Sequence, residues 1–249
     1  MNRTARPLLL AAALALTALP AAAQDFSSAQ RGEIEKIIKE YLIKHPEVLQ
    51  EAMAELEKKQ QLAETEKARS AIKNHSDALF NSPRQVVLGN PQGDVTFVEF
   101  FDYNCGYCKR ALNDMVEIMG KDPKLKVVLK EFPVLGPSSV EAAQVAVAVR
   151  MQDKTGKKYL EFHQKLLGGR GQVDKAKALA AARDVGLDMA RLDKDLKSEE
   201  IGKTLEESMK LAEALGLNGT PSYVIGSDVV IGAVGQAQLS QKIQAARQQ

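Results

Sequence analysis

The spacing of apolar residues changes repeatedly along this chain. Leu8 to Leu19 is a nearly unbroken apolar run. From Ser28 to Leu79 apolar positions recur at helical intervals among charges: Ile34, Ile37, Ile38, Tyr41 and Leu42 fall at i, i+3, i+4, i+7 and i+8, one stripe of a helix. Pro46 ends that helix and suits the first turn of the next, on which Val48, Leu49, Met53, Leu56 and Ala63 continue a stripe. Beyond Leu56 charge dominates, as in Glu55-Leu56-Glu57-Lys58-Lys59. Two such helices carry too little apolar surface to fold alone. A stripe with charged flanks either packs on the rest of its own chain or meets a second copy. A charged stretch read as a solvated spacer favours the second copy.

After Asn81-Ser82-Pro83 the period shortens. Val86-Val87-Leu88 and Val95 to Phe101 read as strands joined by the turn Gly89 to Asp94. A helix to about Met119, a strand Leu125 to Lys130 and a loop Glu131 to Pro137 follow. From Ser139 to about Leu215 the pattern is helical only, divided by Gly168-Gly169-Arg170-Gly171 and Gly186. Strand patterning returns at Ser222 to Ile225 and Val229 to Ile231, and a last helix starts at about Gln236. Strand, helix, strand, helical block, hairpin and helix is an α/β order. It predicts a thioredoxin fold with an inserted helical domain at about 138–215, preceded by an N-terminal helical oligomerisation stalk.

The first run changes the compartment. Arg3 and Arg6, the apolar stretch and Ala21-Ala22-Ala23 before Gln24 make an export signal over 1–23, too short to stay in a bilayer. No cysteine stands at the expected cut, which argues against a lipid anchor. The expected division is therefore 1–23 leader, 24–82 helical oligomerisation region and linker, and 83–249 catalytic domain. The chain holds 34 Lys+Arg and 32 Asp+Glu. The leader takes two of the bases and none of the acids, so the mature chain is formally neutral, and a nucleic-acid or anionic-membrane partner is not indicated.

Cys105 and Cys108 are the only cysteines, placed where an apolar strand gives way to a helix. Thiols at i and i+3 on a first helical turn can close a short disulfide, and the free N–H groups and dipole there lower the pKa of the first. A zinc half-site or a haem attachment are the other readings of such a pair. Lys109 in place of His removes the haem motif, and His45, His75 and His163 are too scattered to complete zinc. No metal or cofactor is expected. In an exported chain the pair works on other proteins' disulfides. Cys105 is expected as the exposed nucleophile and Cys108 as the buried resolving thiol, tuned by Gly106 and Tyr107. No histidine lies between them to make Cys105 strongly acidic. Thr220 and Pro221, in Gly219-Thr220-Pro221-Ser222 before a strand, are either a cis peptide that offers backbone to an extended substrate or an ordinary turn. Glu99, an acid inside an apolar strand, is either a proton carrier for Cys108 or an outward edge residue.

The segment Val98 to Cys108, the loop Glu131-Phe132-Pro133-Val134-Leu135-Gly136 and Gly219-Thr220-Pro221 resemble the DsbA family of periplasmic thiol-disulfide oxidoreductases. The resemblance covers about Pro83 to the C-terminus. It implies a cis-Pro221 beside the cysteines and Glu99 in the family's buried-glutamate position. The N-terminal helices, with Asp25-Phe26 and His45-Pro46-Glu47, are similar to the oligomerising extension of the suppressor-of-copper-sensitivity C (ScsC) and Com1-like branches. Cys-Gly-Tyr-Cys with Thr before proline also resembles the active site of the isomerase DsbC. The leading expectation is a periplasmic disulfide isomerase or reductase for exported proteins, a homo-oligomer kept reduced by a membrane redox partner. Alternatives are a dithiol oxidase and a non-enzymatic Cu(I)-binding protein, since thiolates suit that soft ion.

Overall fold

A computed structural model describes residues 26–248. The leader expected over 1–23 lies outside the described residues. Contacts divide the chain into two compact units, Met1–Glu57 and Lys58–Gln249.

The first unit holds helix α1 (Ser28–Lys44) and the start of α2 (Glu47–Asn74). Ser27 and Gln30 form a reciprocal capping box, which satisfies two donors at the start of α1. Pro46 separates the helices as expected, and its carbonyl accepts from the amides of Leu49 and Gln50 at 3.1 and 3.4 Å. No residue of α1 is buried. The predicted stripe therefore stands in solvent, with Ile37 64% and Met53 62% exposed.

The second unit is built on a five-stranded sheet. Its strands are β1 (Val86–Gly89), β2 (Val95–Phe101), β3 (Leu125–Glu131), β4 (Ser222–Ile225) and β5 (Asp228–Ile231), in the spatial order β1-β3-β2-β4-β5. Helix α4 (Gly106–Lys121) carries the chain from β2 across to parallel β3, since parallel neighbours need a crossover. The two strands expected on either side of the Gly89–Asp94 turn do not pair with each other. β1 pairs antiparallel with β3 instead. The turn wraps the start of β3: Asn90 donates to the Leu125 carbonyl and Asp94 to that of Lys124, each at 2.9 Å. A Cβ on Gly89, at φ +68°, would come within 2.6 Å of the same Leu125 oxygen, so glycine permits this path.

Both faces of β2 are covered, which explains its nearly continuous apolar run. Phe97 and Phe101 join the larger core with Cys108, Met115, Phe162, Leu239 and Ile243. Val98 and Phe100 face the other side, against Ile72, Leu79, Leu211 and Leu215. Ile72 lies in α2 and Leu79 in α3 (Ser76–Phe80). For this reason the contact boundary falls at Glu57, before the change of composition near 82 that the sequence suggests. Helices α5 (Pro137–Gln152), α6 (Lys157–Gly168), α7 (Lys175–Asp184), α8 (Met189–Asp195) and α9 (Glu199–Ala214) form the inserted helical layer, and α10 (Gln236–Arg247) closes the fold.

Candidate active site

Cys105 is the N-cap of α4, with extended backbone at φ −79° and ψ 117°, and its carbonyl accepts from Lys109 at 3.1 Å. Cys108 lies one turn in. What fixes this corner is Asp102, a buried carboxylate just after β2. One oxygen accepts from the Asn104 amide at 2.8 Å and the Ser139 hydroxyl at 2.7 Å; the other accepts from the amides of Val134 and Leu135, both at 2.9 Å. Asn104 in turn clasps the backbone of Val173, donating to its carbonyl at 2.9 Å and accepting from its amide at 2.7 Å. Lys109 donates to the Gly169 carbonyl at 3.0 Å. Thus the cysteine loop, the loop after β3 and the helical insertion are tied together. Asp102, Asn104 and Ser139 escape sequence reasoning because their partners are remote in the chain.

Opposite the cysteines, the Thr220–Pro221 bond is cis. The Cys105 sulfur lies 3.1 Å from the Thr220 carbonyl oxygen, to which it donates only while protonated. This contact corrects the expectation of an exposed first thiol: Cys105 is 5% exposed and Cys108 fully buried. Tyr107 between them is exposed, with the Arg110 guanidinium 4.4 Å above its ring. Val134 and Leu135 are exposed as well.

Both cysteines are free thiols, and their surroundings split them. Cys105 is lowered to about 5, first by a hydrogen bond from Cys108, then, against the cost of burial, by the Thr220 side chain and the amides of Cys108 and Tyr107. The acidity absent from the dipeptide is supplied by these donors at the helix start. Cys108 is pushed up, first by keeping its proton in the bond to Cys105, then by burial and the charge of Glu99. Glu99 lies in the sheet interior, 1% exposed. It is not an outward edge residue. Burial, followed by the charges of Asp114 and Cys105, raises its carboxyl to about 8.

Behind the site a second buried cluster joins β3 to α6. The Tyr159 hydroxyl donates to Glu131 at 2.5 Å and lies 3.2 Å from that of Tyr103, which is 3.3 Å from His163 Nδ1. Burial alone lowers His163 to about 3, so its ring is neutral at physiological pH. Among the described residues no group of three or more His, Cys, Asp or Glu side chains is placed to hold a metal ion.

The model of the DSBA-like thioredoxin domain matches residues 96–244, a span that holds Glu99, both cysteines, Thr220 and Pro221. The chain belongs to this DsbA-like family. The model of the copper resistance protein ScsC N-terminal domain matches residues 30–63, within α1 and α2. A thioredoxin-like oxidoreductase from Silicibacter pomeroyi DSS-3 is 44% identical, covering 70% of this chain and 98% of that one, with a TM-score of 0.66. Proteus mirabilis ScsC in a transitional conformation is 29% identical over 90% of this chain and 99% of that one, with a TM-score of 0.65. Bordetella pertussis thiol:disulfide interchange protein DsbA is 28% identical over 139 residues, 54% of this chain and 64% of that protein. The chain spans only 27% of the Na(+)/H(+) antiporter NhaA 1 of Mycobacterium sp. strain KMS, to which it is 25% identical over 171 residues.

Proposed function

We propose that the chain is a periplasmic thiol-disulfide oxidoreductase, acting as an isomerase or reductase on exported proteins. The observation that carries this reading is the split between a lowered Cys105 and a raised Cys108 on one helical turn. At neutral pH Cys105 is a thiolate. It attacks a substrate disulfide, forms a Cys105–substrate bond and releases the other substrate sulfur as a thiolate. For isomerisation, a substrate thiolate attacks the mixed disulfide, and Cys105 leaves unchanged. For reduction, Cys108 passes its proton to Glu99 in the carboxylate's ionised form, bonds to Cys105 and releases the second substrate sulfur, so that two electrons reach the substrate. Thr220 stabilises the thiolate, and Pro221, which has no amide hydrogen, lines the side from which substrate approaches.

A leader over 1–23, a region that assembles copies of the chain and a catalytic domain belong to the same reading, with the assembling region drawn back from 82 to about Glu57 because Ile72 and Leu79 are buried in the core of the second unit. Its support is the unburied stripe of α1 and α2. An assembly gathers several thiolates around one misfolded substrate and raises their effective concentration. A membrane partner returns electrons to the internal disulfide. The oxidase reading has one observation in its favour, since a stabilised thiolate also makes the disulfide form a ready donor.

The test is refolding of a scrambled multi-disulfide protein by full-length protein, alongside Cys105→Ser and Cys108→Ser. Cys105→Ser should be inert, and Cys108→Ser should accumulate mixed disulfides because attack survives and resolution does not. Absence of refolding together with rapid oxidation of a dithiol peptide would replace the isomerase with the oxidase.

A further inference from the structure

Two buried side-chain oxygens beside the cysteines have no protein hydrogen-bond partner: Glu99 Oε2 and the Tyr223 hydroxyl. The residues that carry them are neighbours across the sheet, although the two oxygens do not bond each other. Glu99 on β2 and Tyr223 on β4 stand directly opposite in the antiparallel register, so their side chains leave the sheet on the same face. That face carries Phe97, Phe101 and Cys108. Tyr223 is 1% exposed. Its ring packs on Phe97 with centroids 5.1 Å apart, a contact that a phenylalanine would make equally well. An unpaired hydroxyl in such a place is costly. Packing therefore explains the ring and leaves the hydroxyl unexplained.

The surroundings of Glu99 say what a hydroxyl can do there. The ionisable groups that act on Glu99 are Asp114 of α4 and Cys105, both anionic when charged. Those that act on Tyr223 are Glu99, Cys108, Asp114 and Cys105. None of these is a cation. β3 sets Leu129 beside Glu99 in register, and α10, packed on β2 and β4, buries Leu239 and Ile243. Ionised Glu99 needs a donor, and Tyr223 across the ladder is one.

We propose that Tyr223 is a positioning residue for Glu99: its hydroxyl donates to the ionised carboxylate, after a side-chain turn or through one buried water, and so prepares Glu99 to take the Cys108 proton. The inference rests on the disulfide-exchange reading. In the resolving step the S–H bond of Cys108 breaks and its proton moves to Glu99. The Cys105–Cys108 bond forms, the Cys105–substrate bond breaks, and the substrate leaves as a thiolate carrying the electron pair. A donor to the carboxylate holds its pKa down against burial and Asp114. Without that donor, Glu99 is protonated over more of the neutral range and accepts less.

The test is Tyr223→Phe in the full-length protein, which keeps the ring and removes only the oxygen; near-UV circular dichroism checks that the fold is retained. Two quantities are measured. One is the pH dependence of substrate release from the preformed Cys105 mixed disulfide. The other is the titration of Glu99 in the reduced protein by carboxyl ¹³C NMR, which needs no turnover. Tyr223→Phe should move both midpoints to higher pH by about one unit, the size of effect expected for one lost hydrogen bond to a charged group. Release at pH 7 should slow by up to about tenfold and recover at high pH, where Cys108 ionises unaided. In a Glu99→Gln background the tyrosine change should have no further effect. Unshifted midpoints, or equal slowing with and without Glu99, would overturn the proposal and make the hydroxyl structural. A wild-type protein that exchanges no disulfides, yet shows the NMR shift in Tyr223→Phe, would instead defeat the functional reading and leave the hydrogen bond standing.

Discussion

Replacing Glu99 with glutamine should make the folded protein more stable, and increasingly so as the pH rises. The side chain keeps its shape and loses its ability to ionise. In the folded state the carboxyl holds its proton up to about 8, against 4.5 for the free group. Between those values the unfolded chain has released a proton that the folded chain still binds, so the glutamate lowers stability as pH increases. At about 1.4 kcal/mol per pH unit, the rise to about 8 sets a ceiling of about 5 kcal/mol. About 3 kcal/mol of that loss is incurred by pH 7. The variant should match the wild type near pH 4.5 and exceed it by about 3 kcal/mol at pH 7, both kept reduced so that the Cys105 contribution largely cancels. The chain has no tryptophan, so urea unfolding is followed by near-UV circular dichroism of its tyrosines, of which Tyr103, Tyr159 and Tyr223 are buried in the second unit. Parallel stability curves from pH 4.5 to 8 would mean that Glu99 titrates normally, and would remove it from the proton path.

Three further outcomes are expected. Alkylation of the reduced protein should modify Cys105 with a midpoint near pH 5 and leave Cys108 unlabelled until denaturation; labelling that begins only near pH 9 on either thiol would refute the split, and mass spectrometry of peptides reads it. Asp102→Ala strands the Val134, Leu135 and Asn104 amides and the Ser139 hydroxyl, and should cost about 2–4 kcal/mol in urea unfolding; a change below about 0.5 kcal/mol would show that the loops hold themselves. Ile37→Lys with Met53→Lys should lower the mass measured by light scattering while the near-UV spectrum is retained, and a wild-type monomer would remove the case for assembly.

Much of the fold is legible in the sequence because element type is a local property. The bounds of α4 to α7 follow closely from apolar spacing and from the glycines and prolines between them, whereas the stretch from Asp188 onward reads as one helix and divides into α8 and α9 at Leu196-Lys197-Ser198, with no glycine or proline to mark the break. Pairing is less accessible. The Gly89–Asp94 segment has hairpin composition, yet what decides its path is contact with the backbone of Leu125, 30 or more residues away in sequence. Ile72 and Leu79 look like stalk residues because charge surrounds them, and only the fold brings them to Val98 and Phe100. In the site, the cysteine spacing and Gly219-Thr220-Pro221 are local motifs and are readable. The acidity of Cys105 is not, because its donors are Cys108, Thr220 and the helix amides acting together. Tyr223 carries a signal in hindsight: tyrosine where an apolar strand would accept phenylalanine.

The direction of the chemistry follows from the same donors only when the source of electrons is included. Every bond that lowers Cys105 is made to the thiolate and is lost when its sulfur enters a disulfide, so these donors favour the dithiol form at pH 7. On the proposed reading, an isolated copy would tend to be reduced, and its disulfide form would pass oxidation on readily. That bias serves an isomerase if a partner renews the dithiol, and an oxidase if a partner renews the disulfide. Cys105 alone cannot choose between them. On that reading what distinguishes the cases is access, because the proposed assembly through α1 and α2 would limit which partner reaches the cysteines while bringing several thiolates to one substrate. Breaking the assembly should therefore change the steady-state redox poise in the periplasm more than it changes the reduction potential measured on purified protein. An equal change in both would place the control in the active site itself.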